Sequence, residues 1–410
     1  MGLVIQKYGG TSVGSIDRIM NVARRAVSTK REGNRVVVVL SAMSGETDRL
    51  INLANEINPE HNRREHDVLV SSGEQVSISL MAMAIETLGE KAISYLGSQV
   101  CIRTDSDHSR ARILDIDSNR LRDSLEQGLI VVVAGFQGVD EDGNITTLGR
   151  GGSDTSAVAI ASALKADVCE IYTDVDGIYT TDPNICKQAC KLEKISYDEM
   201  LELASLGAKV LQIRSVEFAK KHGIKIHVRS SFSDVQGTIV CKEEEGMEKA
   251  IVSGVAYNKN EAKITICGIP DRPGIAALIF TAISTQGIVV DMIIQNISAE
   301  GLTDLTFTVP KLDYEHAMSS LEETNREIGA LDIHGDKNIA KVSIVGIGMR
   351  THANVAGRMF AALAQENINI MMISTSEIKV SCVIAEKYTE LAVRVLHQEF
   401  ELAEETRDEG

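Results

Sequence analysis

The sequence predicts an α/β chain: a mainly parallel sheet sandwiched by helices, followed by two smaller βαββαβ units. Three observations carry this. Up to about Asp234, short apolar runs alternate with helical stretches, as in a parallel sheet covered on both faces. A charged stretch, "KEEEGMEKA" from Lys242, then reads as a linker. Beyond it, "AKITICGIPDRPGIAALIFTAISTQGIVVDMIIQNI" and "AKVSIVGIGMRTHANVAGRMFAALAQENINIMMIST" resemble each other along their length, the mark of an internal repeat.

The strands of the first part are "LVIQKY", "RVVVVLSA", "KAISYLG", "GLIVVVAGF", "DVCEIYTDV" and "IKIHVRSS". Among them lie the helical candidates "SIDRIMNVARRAVSTK", "EQVSISLMAMAIETLG" and "SAVAIASALKA". The last is apolar nearly all round and reads as buried. Its free N–H groups need partners, and Ser153 or Asp154 is placed to cap it. Ligands of such sheets sit beyond the carboxyl ends of the strands, where the polar loops gather here. Each repeat goes strand, turn, helix, strand, strand and polar helix, the order of a ferredoxin-like sandwich. Neither repeat holds a nucleophile–base set, so both read as binding modules.

Composition narrows the function. A length of 410 residues implies more than one core. The net charge of −16, without a basic tract, argues against nucleic acid and leaves any anionic substrate to a few local cations. No run approaches the roughly 20 apolar residues of a membrane span. "MGLVIQKYGG" lacks the regions of a signal peptide, so no membrane is expected. The 7 cysteines are scattered and without CxxC spacing, which suggests neither disulfides nor zinc and points to the cytoplasm.

Chemistry concentrates at strand ends. "KYGGTS" offers glycine N–H groups and a lysine to phosphate oxygens. Neither GxxxxGK[ST] nor an HRD/DFG set is present, which excludes P-loop and protein-kinase machinery. "SAMSGETDRL" adds hydroxyls and an arginine, and "SSGEQVS" places Glu74 before an apolar helix, as a cap or an ammonium receptor. "TTLGRGGSDTSA" combines an arginine, glycines, a serine and an aspartate at a helix start. "YTDVDGIYTTDP" reads either as a tight hairpin or as a nucleotide site, and "LGAKVLQIRS" sets Lys209 at a helix boundary.

Taken in this order, these motifs with "DRPGIAA" and "ISTSEIKVS" resemble the aspartokinases of the amino acid kinase family, with two C-terminal ACT units. The resemblance spans essentially the whole chain. It implies an amino acid kinase-like catalytic domain over 1–240, a linker and first regulatory strand over 241–261, and ACT units over 262–335 and 336–410. The implied reaction moves the γ-phosphoryl group of ATP, with Mg2+, to the side-chain carboxylate of L-aspartate. That is the entry step to lysine, threonine and methionine.

The resemblance also implies roles. Lys7 would stabilise the transferring phosphoryl group and Asp154 would orient Lys7 or the substrate ammonium. Arg150 would pair with the α-carboxylate, with Gly151, Gly152 and Ser153 giving close backbone approach and N–H donors. Glu74 would receive the ammonium, framed by Ser41, Thr47 and Arg49, although Glu46 stands where many relatives carry a hydroxyl residue. ATP would be held by Lys7, Tyr8, Gly9, Gly10, Thr173 and Asp174, by Tyr179, Thr180, Thr181, Asp182, Pro183 and Asn184, and by Lys209 and Val210. No protein ligand for the metal is assigned.

For the ACT units, the implied effectors are lysine and threonine, and paired sheets imply a homo-oligomer. The effector positions are Asp271, Pro273, Gly274, Ile275, Ala276, Val290, Asp291 and Gln295, with Asp291 and Gln295 reading the ammonium and side chain. In the second unit they are Val355, Ala356, Asn369, Ile370, Ser376 and Glu377. There "THANVAG" lacks the Pro-Gly turn, so this turn is degraded or recruited to a subunit contact. Met247 marks where some relatives start a separate small subunit. A glutamate acceptor and a non-catalytic amino-acid sensor remain the alternatives.

Overall fold

The computed structural model describes residues 2–206, 210–243, 251–297, 301–352 and 354–403. Two compact units emerge. The first takes in the described residues up to Ile178, Lys191–Ala204 and 210–243; the second takes in Tyr179–Cys190 and the described residues from 251 onward.

In the first unit, the six expected strands lie side by side in one sheet. Their order is Ile226–Ser230, Val168–Thr173, Leu3–Tyr8, Arg35–Leu40, Ile130–Ala134 and Ala92–Tyr95, all parallel. Thr238–Cys241 adds antiparallel to Ile226–Ser230, and Lys194–Ser196 closes that edge. The all-apolar strand Ile130–Ala134 is fully buried, as a strand covered by helices on both faces must be. Ser15 caps the helix Ile16–Arg31 by accepting from the Arg18 N–H. Its Ile19, Val22, Ala23, Ala26 and Val27 then pack into the core that covers one face of the sheet.

Two features depart from expectation. The buried helix starts at Gly152, earlier than its apolar run, so Ser153 and Asp154 lie inside its first turn and neither side chain caps it. A small second sheet, Ile113–Ile116, Ile102–Thr104, Gln137–Val139 and Ile145–Thr147, delivers the chain to that helix. Strands of three or four residues carry too little alternation to be read from sequence. The helical stretch Arg63–Thr87 is also long and apolar enough, by length and composition, to cross a membrane. Half of its apolar window is buried inside the protein, and it carries the charged Glu74, as befits a core helix.

The second unit holds two four-stranded antiparallel sheets. One runs Asp291–Ile297, Leu302–Pro310, Glu261–Pro270, Asp332–Asp336, the complete ferredoxin-like set of the first repeat. The second repeat supplies only Ile339–Val345, Lys379–Ala385 and Met372–Thr375 to its sheet. The fourth strand is Gly254–Asn258, from before the first repeat, paired antiparallel with Ile339–Val345. The stretch expected as a linker and first regulatory strand therefore completes the second repeat rather than the first.

Candidate active site

At the carboxyl ends of the central strands lies a cavity of about 340 Å³. Strand alternation decides what reaches it. Lys7 projects into the cavity, whereas its neighbours Gln6 and Tyr8 are buried, with Tyr8 stacked on Tyr172 at 4.5 Å. The Lys7 ammonium meets Asp154 Oδ1 at 2.6 Å, with only 12% and 10% of the two side chains exposed. Gly10 is close to the second strand's loop, since a Cβ there would lie 2.8 Å from Ala42 O.

The glycines of "LGRGGSD" each answer a steric demand. Gly149 and Gly151 have φ of +74° and +72°, a left-handed backbone that side chains resist. A Cβ on Gly149 would lie 2.9 Å from Ser109 O, and one on Gly151 would lie 1.9 Å from Gln212 Cγ. Arg150 between them is exposed and lines the cavity. The helix start that follows has no side-chain cap, so its first-turn N–H groups and dipole favour an anion in the cavity.

Glu74 closes the opposite side. Gly73, where a Cβ would lie 2.8 Å from Ala42 Cβ, lets the first turn of Ser72–Thr87 approach the Ser41–Ala42 loop. Glu74 Oε1 accepts from the Ala42 N–H at 2.9 Å, while the buried Oε2 takes no hydrogen bond. Burial pushes this carboxyl up to about 7, against the lowering effect of the Ala42 hydrogen bond. A buried acceptor without a hydrogen bond calls for a donor.

Of the residues expected to bind substrate, Ser41, Thr47, Glu74, Arg150, Gly151, Gly152 and Ser153 line this cavity with Lys7 and Asp154. Arg49 does not: it is exposed and paired through two nitrogens with Glu46, at 2.9 and 2.7 Å. A carboxylate one helical turn away captures the guanidinium.

Of the nucleotide group, Gly9, Gly10, Thr173 and Val210 line the cavity. The Tyr8 side chain does not, because it points to the other face of the sheet. Thr173 Oγ1 donates to Asp174 Oδ1 at 3.1 Å. The Tyr179–Asn184 segment packs within the second unit. There Thr180 Oγ1 and His397 Nε2 are 2.9 Å apart, Tyr257 donates to Asp182 Oδ2 at 2.9 Å, and Asn184 is tied to Asp182 Oδ1. Lys209 lies outside the described residues.

Phe136, Ile171 and Gln212 also line the cavity and were not singled out from sequence. Phe136 adopts φ +68°, strain that a Phe carries without any sequence signal. Gln212 stood inside a quoted motif, unremarked.

No group of three His, Cys, Asp or Glu side chains among the described residues forms a metal cradle.

In the second unit, Gly274 starts the helix Ile275–Ser284 at φ +93°, with Asp271 and Pro273 exposed beside it. The Ile275 and Val355 side chains are buried in the two apolar cores of this unit. Asp291, expected to read an ammonium, already holds one: Lys341 Nζ lies 2.5 Å from Asp291 Oδ2 and 2.5 Å from Glu261 Oε1. Gln295, Asn369, Ser376 and Glu377 are exposed.

The profile of the Amino acid kinase family matches residues 2–230, and that of the ACT domain matches 264–324 and 342–400. An aspartate kinase of Pseudomonas putida is 60% identical over 403 residues, 98% of each chain. An aspartokinase of Helicobacter pylori is 54% identical over 404 residues, 98% of this chain and 99% of that one. Among solved structures, E. coli aspartokinase III in complex with aspartate and ADP (R-state) superimposes with a TM-score of 0.79 at 26% identity, covering 97% of this chain and 99% of that one. The same enzyme with lysine and aspartate (T-state) gives a TM-score of 0.80 at 26% identity, with the same coverage. By profile and by relatives alike, the chain belongs to the amino acid kinase family, in its aspartokinase group with paired ACT domains.

Proposed function

We propose that the protein phosphorylates the side-chain carboxylate of L-aspartate with MgATP, giving 4-phospho-L-aspartate and ADP. One observation supports most of this reading: a single cavity is lined by Glu74, whose Oε2 takes no hydrogen bond, by Arg150 and by the Lys7–Asp154 pair. That arrangement complements an α-amino acid, with its ammonium on Glu74 and its α-carboxylate on Arg150.

The chemistry needs no general base, because the attacking carboxylate is ionised at neutral pH. The obstacle is repulsion between two anions, so catalysis is alignment and charge neutralisation. Lys7 neutralises the transferring phosphoryl group, and Asp154 fixes the Lys7 ammonium. The uncapped helix start at Ser153 gives backbone N–H groups to the same charge. Thr173, Asp174, Val210 and Lys209 hold the nucleotide in this reading, and magnesium arrives as part of it.

The wider assignment follows the same reading: the entry step to lysine, threonine and methionine in the cytoplasm, by a homo-oligomer that lysine or threonine inhibits through the ACT units. A separate small subunit starting near Met247, which lies outside the described residues, belongs to it too. Mass spectrometry of the native gene's products tests that last point.

The deciding experiment measures ADP release with MgATP and L-aspartate, with hydroxylamine trapping the acyl phosphate. Trapped product with aspartate but not L-glutamate supports the reading. Turnover on glutamate alone, or no turnover with lysine or threonine still bound, overturns it. Lysine and threonine added singly and together assign the regulation.

A further inference from the structure

Arg150 takes no protein partner among the described residues, so its place is set by the backbone on either side of it. That backbone is intrinsically loose, with left-handed glycines at 149 and 151. Three anchors hold it. Arg214, in the first turn of Ile213–His222, donates from Nη1 to Leu148 O at 2.6 Å and from Nη2 to Ala111 O at 2.9 Å. Gln212, two residues earlier, fills the space that a Gly151 side chain would need. The start of one helix thus brackets Arg150 on both sides.

The third anchor is Asp67, whose carboxylate is wholly buried. It accepts from Thr147 N and Oγ1 at 3.0 and 2.6 Å, from Ser109 N and Oγ, and from His108 Nδ1 at 2.9 Å. The same Ser109 presents the carbonyl against which Gly149 packs. Asp67 therefore pins the last strand residue before the loop and the surface on which the loop turns.

We propose that Arg214 and Asp67 are positioning residues for Arg150: they fix the Leu148–Gly152 loop so that its guanidinium meets the substrate's α-carboxylate. The inference rests on the role given to Arg150 above. A planar fork spans two carbonyls, whereas a lysine ammonium is a point donor that serves one of them well. Small misplacements of a binding group produce large losses. The signature is a defect in aspartate binding with nucleotide binding spared.

The test is steady-state kinetics on full-length Arg214→Met, Arg214→Lys, Thr147→Val and Arg150→Lys, with thermal unfolding of each. The expected result is a KM for aspartate raised about ten-fold in Arg214→Met. Arg214→Lys should be affected less, and Thr147→Val in the same direction. The KM for MgATP should stay within about two-fold throughout. Equal rises in both KM values, or an unchanged aspartate KM in Arg214→Met and Thr147→Val, overturn the positioning role. Should Arg214→Met fail to fold, Thr147→Val decides, since its backbone N–H still reaches Asp67. If Arg150→Lys leaves the aspartate KM unchanged, the role of Arg150 falls and the inference with it. If Arg150→Lys alone raises it, only the positioning falls.

Discussion

Lys7 Nζ lies 2.6 Å from Asp154 Oδ1, joining the first strand of the sheet to the first turn of a helix that begins 145 residues later in the chain (152 − 7). The pair is nearly out of solvent yet opens onto the cavity, which suits a cation that must be fixed before phosphate arrives. Lys7→Ala should lower kcat roughly 10²- to 10³-fold, as for other donors aimed at developing charge. Asp154→Asn should lower it less, since the lysine keeps its charge but loses its anchor. Circular dichroism should show both variants folded. Turnover of Lys7→Ala near that of the wild type rules out the proposed role.

Glu74 makes both stability and binding depend on pH. Its carboxyl titrates at about 7 in the folded chain and near 4.5 when unfolded. Between those values the folded state binds the extra proton, so stability falls as pH rises from about 4.5 to 7 and is level above. The full effect is at most about 3 kcal/mol. Glu74→Gln should abolish this slope and be the more stable protein at pH 8. In the proposed site aspartate binding needs the ionised carboxylate, so binding near pH 7 should release a proton from the protein. Calorimetry in buffers of different ionisation enthalpy detects it, and equal heats in all buffers exclude it.

The Gly151 contact separates steric demand from backbone strain. Gly151→Ala places a methyl 1.9 Å from Gln212 Cγ at a positive φ, so it should both destabilise the protein and raise the aspartate requirement. Adding Gln212→Ala should relieve the clash only in part, since the Cβ at 212 would still lie 2.6 Å away, and it leaves untouched the residual φ penalty of about 1 kcal/mol. Gly143→Ala has the same φ sign but nothing within 4 Å, and should show that residual penalty alone. A double variant no more stable than Gly151→Ala refutes the clash.

How much of this was readable beforehand depended on the length scale of the signal. All six apolar parallel strands were legible because burial on both faces leaves runs such as "RVVVVL" with no other explanation. The small sheet ending at Thr147 was not, since strands of three or four residues span at most two periods of alternation, too few to read. Nor was the strand exchange of Gly254–Asn258, because pairing with Ile339–Val345 is a long-range choice that local sequence does not encode. At the site, motifs placed the charged residues but not their partners. Glu46 differed visibly from the hydroxyl expected there, yet its capture of Arg49 is a matter of geometry. Arg214 meets two backbone carbonyls, and Asp67 meets backbone and side-chain groups 42 and 80 positions away, pairings that leave no mark in a sequence.

That capture has a direct consequence. Arg49 sits in an exposed pair of a kind that contributes little to stability, and it does not line the cavity. Arg49→Ala should therefore change the aspartate KM by less than about two-fold, far below the effect of Arg150→Ala. Equal effects from the two variants would mean that the Glu46–Arg49 pair opens when substrate binds.

Lys341 poses the same question for the regulatory unit. Burial alone would lower the pKa of its ammonium, but Glu261 and Asp291 overcome this and hold it above the usual lysine range. Glu261 is itself buried, and its Oε2 has no hydrogen bond. Lys341→Met strands that carboxylate without a counter-charge and should destabilise the unit by about 3 kcal/mol or more. Adding Glu261→Leu removes the stranded charge and should recover most of the loss. Asp291 is different: more than half of its side chain is exposed, so it is solvated once Lys341 is gone. An amino-acid effector whose ammonium uses Asp291 must compete with Lys341, so the double variant should bind lysine or threonine more tightly than wild type. Calorimetric titration of both proteins measures this directly. Weaker binding by a stably folded double variant would remove Asp291 from the effector site.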